Sequence, residues 1–217
     1  MVKRASDTLG FRASVADPFL IDEKGPQLSR FRRAKFGRAH ALKNLGKQLW
    51  RNKDPNAKVR AHIAVYGMGN DSDELRLAAK KVADKNKVAF NMHQSQSVDD
   101  AEFDDRRFGR HPLVHFEEIG LLDKNCVFVH MNVLRPDEYG SVERAGMSIV
   151  WSPTNSWYYG TRMRAPNHIP KLFKRGVNVT LGLDVSKAAS FGDQAHMAYL
   201  IARDQGDHLS PEDLLQM

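Results

Sequence analysis

Short apolar runs alternate with amphipathic helical patterns along almost the whole chain, and this alternation constrains the fold more than any other feature. The runs are FRASVADPF (11–19), VRAHIAVYG (59–67), VAFNMH (88–93), CVFVH (126–130), MSIVWSP (147–153) and VNVTLGLD (177–184). Each is rich in β-branched or aromatic residues and bounded by turn-forming residues, which predicts strands at 11–19, 59–66, 88–93, 126–131, 147–152 and 177–183. Strand and helix in strict alternation imply parallel strands joined by right-handed crossover helices. The predicted fold is therefore α/β, a partial TIM-type (β/α)8 barrel of about six βα units. A doubly wound open sheet holds as many strands, but it calls for a glycine-rich phosphate loop after the first one, and GMGND (67–71) is too short for that fingerprint. The chain, at 217 residues, is shorter than the roughly 250 of a complete barrel. One incomplete barrel domain over 1–217 is expected, with a basic helical insertion at about 28–52.

Between the strands the helix signals are local. Asp71 or Ser72 is placed to cap a helix over DELRLAAKKVADKNK, with Leu75, Leu77, Ala78 and Val82 on one face. HPLVHFEEIGLL reads as a helix with Pro112 in its first turn and Gly120 near its end. The polar stretch QSQSVDDAEFDDRRFGR reads as a long loop.

The formal charge of +7 is concentrated in one segment. Residues 24–60 carry twelve Lys or Arg against Asp54 alone, a net of +11 that leaves −4 for the remainder. There Arg and Lys alternate with Phe31, Phe36, Leu42, Leu45, Leu49 and Trp50, the pattern of an amphipathic helix with a solvated basic face. Nucleic acid is not the expected partner, although contact through 30–60 is kept as an alternative. The lone Cys126 rules out an internal disulfide and a cysteine-based zinc cluster, and is expected in the core. No apolar run reaches membrane-spanning length, so a cytoplasmic setting is expected.

Three of the runs end on residues suited to metal or proton chemistry, namely His93, His130 and Asp184. In a (β/α)8 barrel the strand ends and βα loops form one mouth, so these three side chains are predicted to converge there. Imidazole and carboxylate are ligands for zinc or iron(II), which brings the pKa of bound water down to about 7. His62 lies within a strand and His111 and His115 on a helix, where packing is the expected role. Trp151, Trp157, Tyr158 and Tyr159 read either as a stacking wall for a planar ring or as packing beneath a loop.

The segments FNMHQSQS, HPLVHFEEIGLLDKNCVFVHMNVLRPDEYGSVERAG, SPTNSWYYG and IPKLFKRGVNVTLGLD, in this order and spacing, resemble the amidohydrolase superfamily. Within it they resemble the branch of cytosine deaminase, guanine deaminase and triazine chlorohydrolase-like enzymes. The resemblance implies that His93, on the fifth barrel strand, and Asp184, on the eighth, are metal ligands. It implies that His130, on the sixth, orients the water or substrate, with Asp184 also taking the proton from the attacking water. Asn155 and Trp157 would lie by the seventh strand near the substrate. One divalent ion is implied, zinc first and iron(II) second, with hydrolysis of a C–N or similar bond in a small heterocycle or amide.

Two positions depart from the family pattern. No His-x-His pair occurs in the chain, which places the family's first two strands outside it. Gln96 stands where the family's deaminases carry a glutamate; as an amide it donates and accepts hydrogen bonds but moves no proton at neutral pH, and Asp99, Asp100 or Glu102 of the same loop are the alternative carriers. The alternatives are a catalytically inactive truncated relative and a partner in assembly. An incomplete barrel leaves sheet edges that pair with other chains, through a homo-oligomer or a completing chain.

Overall fold

The chain is described here from a computed structural model for residues 1–17, 20–26, 37–184 and 190–217, with backbone only at 162–163. The segment 27–36, which holds the first part of the expected basic insertion, lies outside the described residues. The chain divides into two compact units, Met1–Met92 and His93–Met217.

In the first unit α1 (Val2–Leu9) precedes β1 (Ala13–Val15). The described part of the basic segment holds α2 (Arg38–Asn44) and a 3-10 helix at Leu49–Lys53. The apolar run at 59–66 forms two strands, not one: β2 (Val59–Ala61) and β3 (Ile63–Gly67). They separate at His62 because neighbouring amides face different partners. β2 pairs in parallel with β1, and the His62 amide still donates to Val15 at 3.0 Å. The next amide, Ile63, donates to Ala89 at 3.1 Å, at the start of β4 (Phe90–Gln94).

The helix α3 (Asp73–Lys85) starts where predicted, with Ser72 Oγ accepting from the Leu75 amide. Its buried stripe is Leu75, Ala79 and Ala83, with Arg76 and Lys80 alongside, whereas Leu77 is exposed. The expected face of Leu75, Leu77, Ala78 and Val82 is thus rotated. An i, i+4 row of Leu and Ala lets the helix pack closely on β3.

The second unit continues the α/β alternation through β5 (Cys126–His130), β6 (Ser148–Trp151) and β7 (Asn178–Leu181). β5 pairs in parallel with β6, and β6 with β7. Within this unit the strand order β5-β6-β7 follows the sequence, as successive βα units require. Inward residues alternate along the strands, and Cys126, Phe128, Ile149, Trp151 and Val179 are all buried. Helices α5 (Pro112–Glu118), α6 (Glu138–Ala145) and α9 (Ile169–Lys174) supply the layer over them. Phe116 of α5 meets Phe128 of β5 edge-on, at 6.4 Å between ring centres.

The polar stretch after β4 is not a loop. It forms α4 (Val98–Phe108), started by a capping box in which Ser97 and Asp100 satisfy each other's amides and ended by left-handed Gly109. The S-x-x-D spacing was present, but its many charges concealed a helix that buries only Asp100, Ala101 and Asp104. Three further helices, α8 (Thr161–Arg164), α10 (Phe191–Asp204) and α11 (Pro211–Gln216), belong to this unit. No helix among the described residues is long and apolar enough to cross a membrane.

Candidate active site

The ends of β4 and β5 are joined beyond the strands themselves. The Met131 amide donates to Gln94 O and the Val133 amide to Ser95 O, both at 3.0 Å. This pairing carries His93 and His130 to the same level, where their rings stack with centroids 5.3 Å apart and planes 28° apart. His130 is buried.

The backbone here is unusual. Ser95, His130, Met131 and Asp184 all have positive φ, between 48° and 76°, and all lie at the carboxyl ends of strands. Non-glycine residues in this region carry a steric cost, and such residues concentrate where geometry serves a site rather than stability.

A second group is built from amides. Gln96 Nε2 donates to Asn155 Oδ1 at 3.0 Å, and Asn155 Nδ2 donates to the Asp184 carboxylate. Behind them Asn132 Nδ2 donates to Gln96 O at 3.1 Å, and Asn167 Nδ2 donates to Asn132 Oδ1 at 3.3 Å. All four amide side chains are buried, whereas Asp184 is exposed. One hydrogen-bonded chain therefore runs from Asn167 to Asp184 across the ends of β5, β4, β6 and β7. A buried polar network of this kind is stable only when its members are mutually satisfied, and it then fixes a single arrangement.

Asn155 comes to this network on α7 (Pro153–Tyr158), directly after β6. The helix is held by Gln194 of α10, whose Oε1 accepts from the Thr154 amide at 3.2 Å and whose Nε2 donates to Thr154 Oγ1 at 2.7 Å. Gln96 is held by Asp100: Oδ2 accepts from the Gln96 amide at 2.8 Å and Oδ1 from the Ser97 amide at 2.7 Å. Burial pushes the Asp100 carboxyl up, against those same hydrogen bonds, which favour the ionised form.

The sequence-predicted residues thus fall into two groups. His93 and His130 form the imidazole pair; Gln96, Asn155 and Asp184 form the end of the amide chain. Trp157 stands outside both, 55% exposed on α7, with Tyr158 and Tyr159 also exposed while Trp151 is buried. Sequence reasoning missed Asn132 and Asn167, and read Asp100 as a loop carboxylate able to replace the proton carrier, not as the residue that holds Gln96. Asp100 had a local signal in its capping-box spacing; the two asparagines had none.

Two imidazoles and a carboxylate at strand ends are the donor chemistry of a zinc or iron(II) site. Among the described residues no group of three His, Cys, Asp or Glu closes around one point. The donor types fit a divalent ion, and the described residues bring two imidazoles together, not a complete ligand set.

Comparison with known proteins gives the family and the fold. The sequence pattern of the amidohydrolase family matches residues 1–217. A 5-methylthioadenosine/S-adenosylhomocysteine deaminase of Syntrophobacter fumaroxidans is 33% identical over 126 residues, 58% of this chain and 28% of that protein. Among solved structures, a guanine deaminase of C. acetobutylicum with bound guanine superposes with a TM-score of 0.82 at 19% identity, covering 100% of this chain and 52% of that one. An atrazine chlorohydrolase of Arthrobacter aurescens complexed with zinc gives 0.78 at 20% identity, covering 98% and 48%. At such identities the structures show a shared fold alone. This chain spans about half the length of those two and less of the deaminase.

Proposed function

The chain belongs to the amidohydrolase family, and from that premise we propose that its strand ends form part of a metal-dependent hydrolytic site acting on a C–N or similar bond of a small heterocycle. The observation that carries the proposal is the stacking of His93 on His130 at the adjoining ends of β4 and β5. In this reading His93 and Asp184 hold one divalent ion, zinc first and iron(II) second. When bound, the ion supplies acidified water at neutral pH.

The chain's own residues do the rest. His130 orients the water or the substrate carbonyl, and Asp184 takes the proton as the new bond forms and returns it to the leaving group as the C–N bond breaks. Asn155 holds the Asp184 carboxylate in position through its Nδ2. Gln96 fixes Asn155 and offers hydrogen bonds to a ring nitrogen, but relays no proton. Trp157 is the outer contact for a planar substrate. The curated relative acts on adenosine derivatives and one solved relative binds guanine, which supports an amino-substituted purine as the substrate class.

The test is release of ammonia from adenosine-type and guanine-type substrates by the zinc-supplemented protein, alongside His93→Ala and Asp184→Asn. Turnover that both variants abolish supports the reading. Turnover that both leave intact removes it.

A further inference from the structure

The first unit contains a cavity of about 560 Å3 that none of this chemistry uses. Its wall includes Trp50, Arg51, Lys53, Asp54 and Lys58, together with the Lys3–Asp7 pair of α1. The indole of Trp50 is 57% exposed, and the Arg51 guanidinium lies over its ring at 4.5 Å.

The platform is rigid. Asn52 binds the backbone of β2 twice, with Oδ1 accepting from the Ala61 amide at 2.8 Å and Nδ2 donating to Ala61 O at 2.9 Å. That double bond fastens the 3-10 helix carrying Trp50, Arg51 and Lys53 to the sheet. Arg51 is oriented in turn by Gln48, whose Oε1 accepts from Nε at 3.0 Å.

The charge on this wall is unbalanced. Asp7 is matched by Lys3 at 2.8 Å, and Asp54 Oδ1 accepts from the Asn56 amide at 2.9 Å. Arg51, Lys53 and Lys58 have no carboxylate ion-pair partner among the described residues. A guanidinium stacked on an exposed indole offers a flat surface to a π-system, and lysines beside it offer point charges to an anion.

We propose that this cavity binds a mononucleotide-class ligand, with its planar ring on the Trp50–Arg51 face and its phosphate at Lys53 and Lys58. The volume lies in the range of small-molecule sites, roughly 300–1,000 Å3, which favours a single nucleotide over a strand.

Calorimetric titration of the protein with adenosine 5′-monophosphate is the test, with adenosine and a short oligodeoxyadenylate as comparison ligands. One saturable site is expected, weakened as salt is raised. Trp50→Ala should weaken it by about tenfold, the size of one base–aromatic stack. Lys53→Gln with Lys58→Gln should weaken the monophosphate to the level of adenosine. All these side chains line a surface cavity, so unchanged circular dichroism is expected of each variant. Binding that survives these changes but is lost in His93→Ala would place the ligand at the strand ends and overturn the proposal. Binding of the oligomer with no binding of the monophosphate would also overturn it, as would no binding at all.

Discussion

Gln96 Nε2 donates to Asn155 Oδ1 at 3.0 Å, and that single bond decides which way the Asn155 amide faces. An amide whose oxygen is engaged by Gln96 must present its NH2 on the other side, where it meets the Asp184 carboxylate. A glutamate at position 96 would offer only acceptors at neutral pH and would favour the opposite orientation. Gln96 and Asn155 are therefore matched to each other, and the match reaches the proposed metal ligand.

Asn155→Ala removes the acceptor of Gln96 and the donor to Asp184 together. It should cost about 1–3 kcal/mol in denaturant unfolding, since Gln96 is buried. Asn155→Asp should be comparably harmful, because it sets two carboxylates against each other. A loss within error of zero for both would show that the network fixes nothing.

Asp100 fixes the backbone of Gln96 and Ser97 from inside the protein, at 1% exposure. Asp100→Ala is expected to lose about 1–3 kcal/mol by leaving the buried Gln96 amide and the half-buried Ser97 amide without that carboxylate. Ser97→Ala, which weakens only the cap, should lose about 1 kcal/mol. Urea titration of the two variants checks the order.

Gly182 sits between β7 and Asp184, with its amide donating to Trp151 O at 2.7 Å. A Cβ there would lie 2.7 Å from Val150 Cγ1 and 3.1 Å from Ser152 Oγ. Val150 is β-branched and stiff at χ1, so the strands must part rather than the side chain turn. Gly182→Ala should destabilise by about 1–3 kcal/mol and reduce zinc affinity by displacing Asp184. Unfolding and zinc titration on the same preparation test both effects.

Acid should weaken the α5–α6 contact. Arg144 beside Glu117, helped by the Ser141 hydroxyl, holds the Glu117 carboxyl down to about 2 from its ordinary 4.5. A carboxyl with its folded pKa below its unfolded one contributes stability that is present above pH 4.5 and lost as pH falls towards about 2. Arg144→Ala should therefore lower stability at neutral pH and flatten its decline across that acid window. A decline of unchanged steepness would contradict the assignment.

The strand ends could be read in advance because buried parallel strands are continuous apolar runs, and His93, His130 and Asp184 interrupt them visibly. The break at His62 could not, since VRAHIAVYG carries no turn-forming residue there and only the change of pairing partner divides it. α4 was hidden by its charges, which obscured a capping box that fixes its start. Asn132 and Asn167 left no trace: their 35-residue separation carries no periodicity, and the fold alone brings them within 3.3 Å of each other.

The central claim is that these strand ends hold a metal ion. It is tested most directly by elemental analysis of the purified protein and of His93→Ala, each dialysed after exposure to zinc. The account predicts about one zinc per unaltered chain, in keeping with a single mononuclear site, and little in the variant. No retained zinc in the unaltered protein, or equal retention in both, would contradict it.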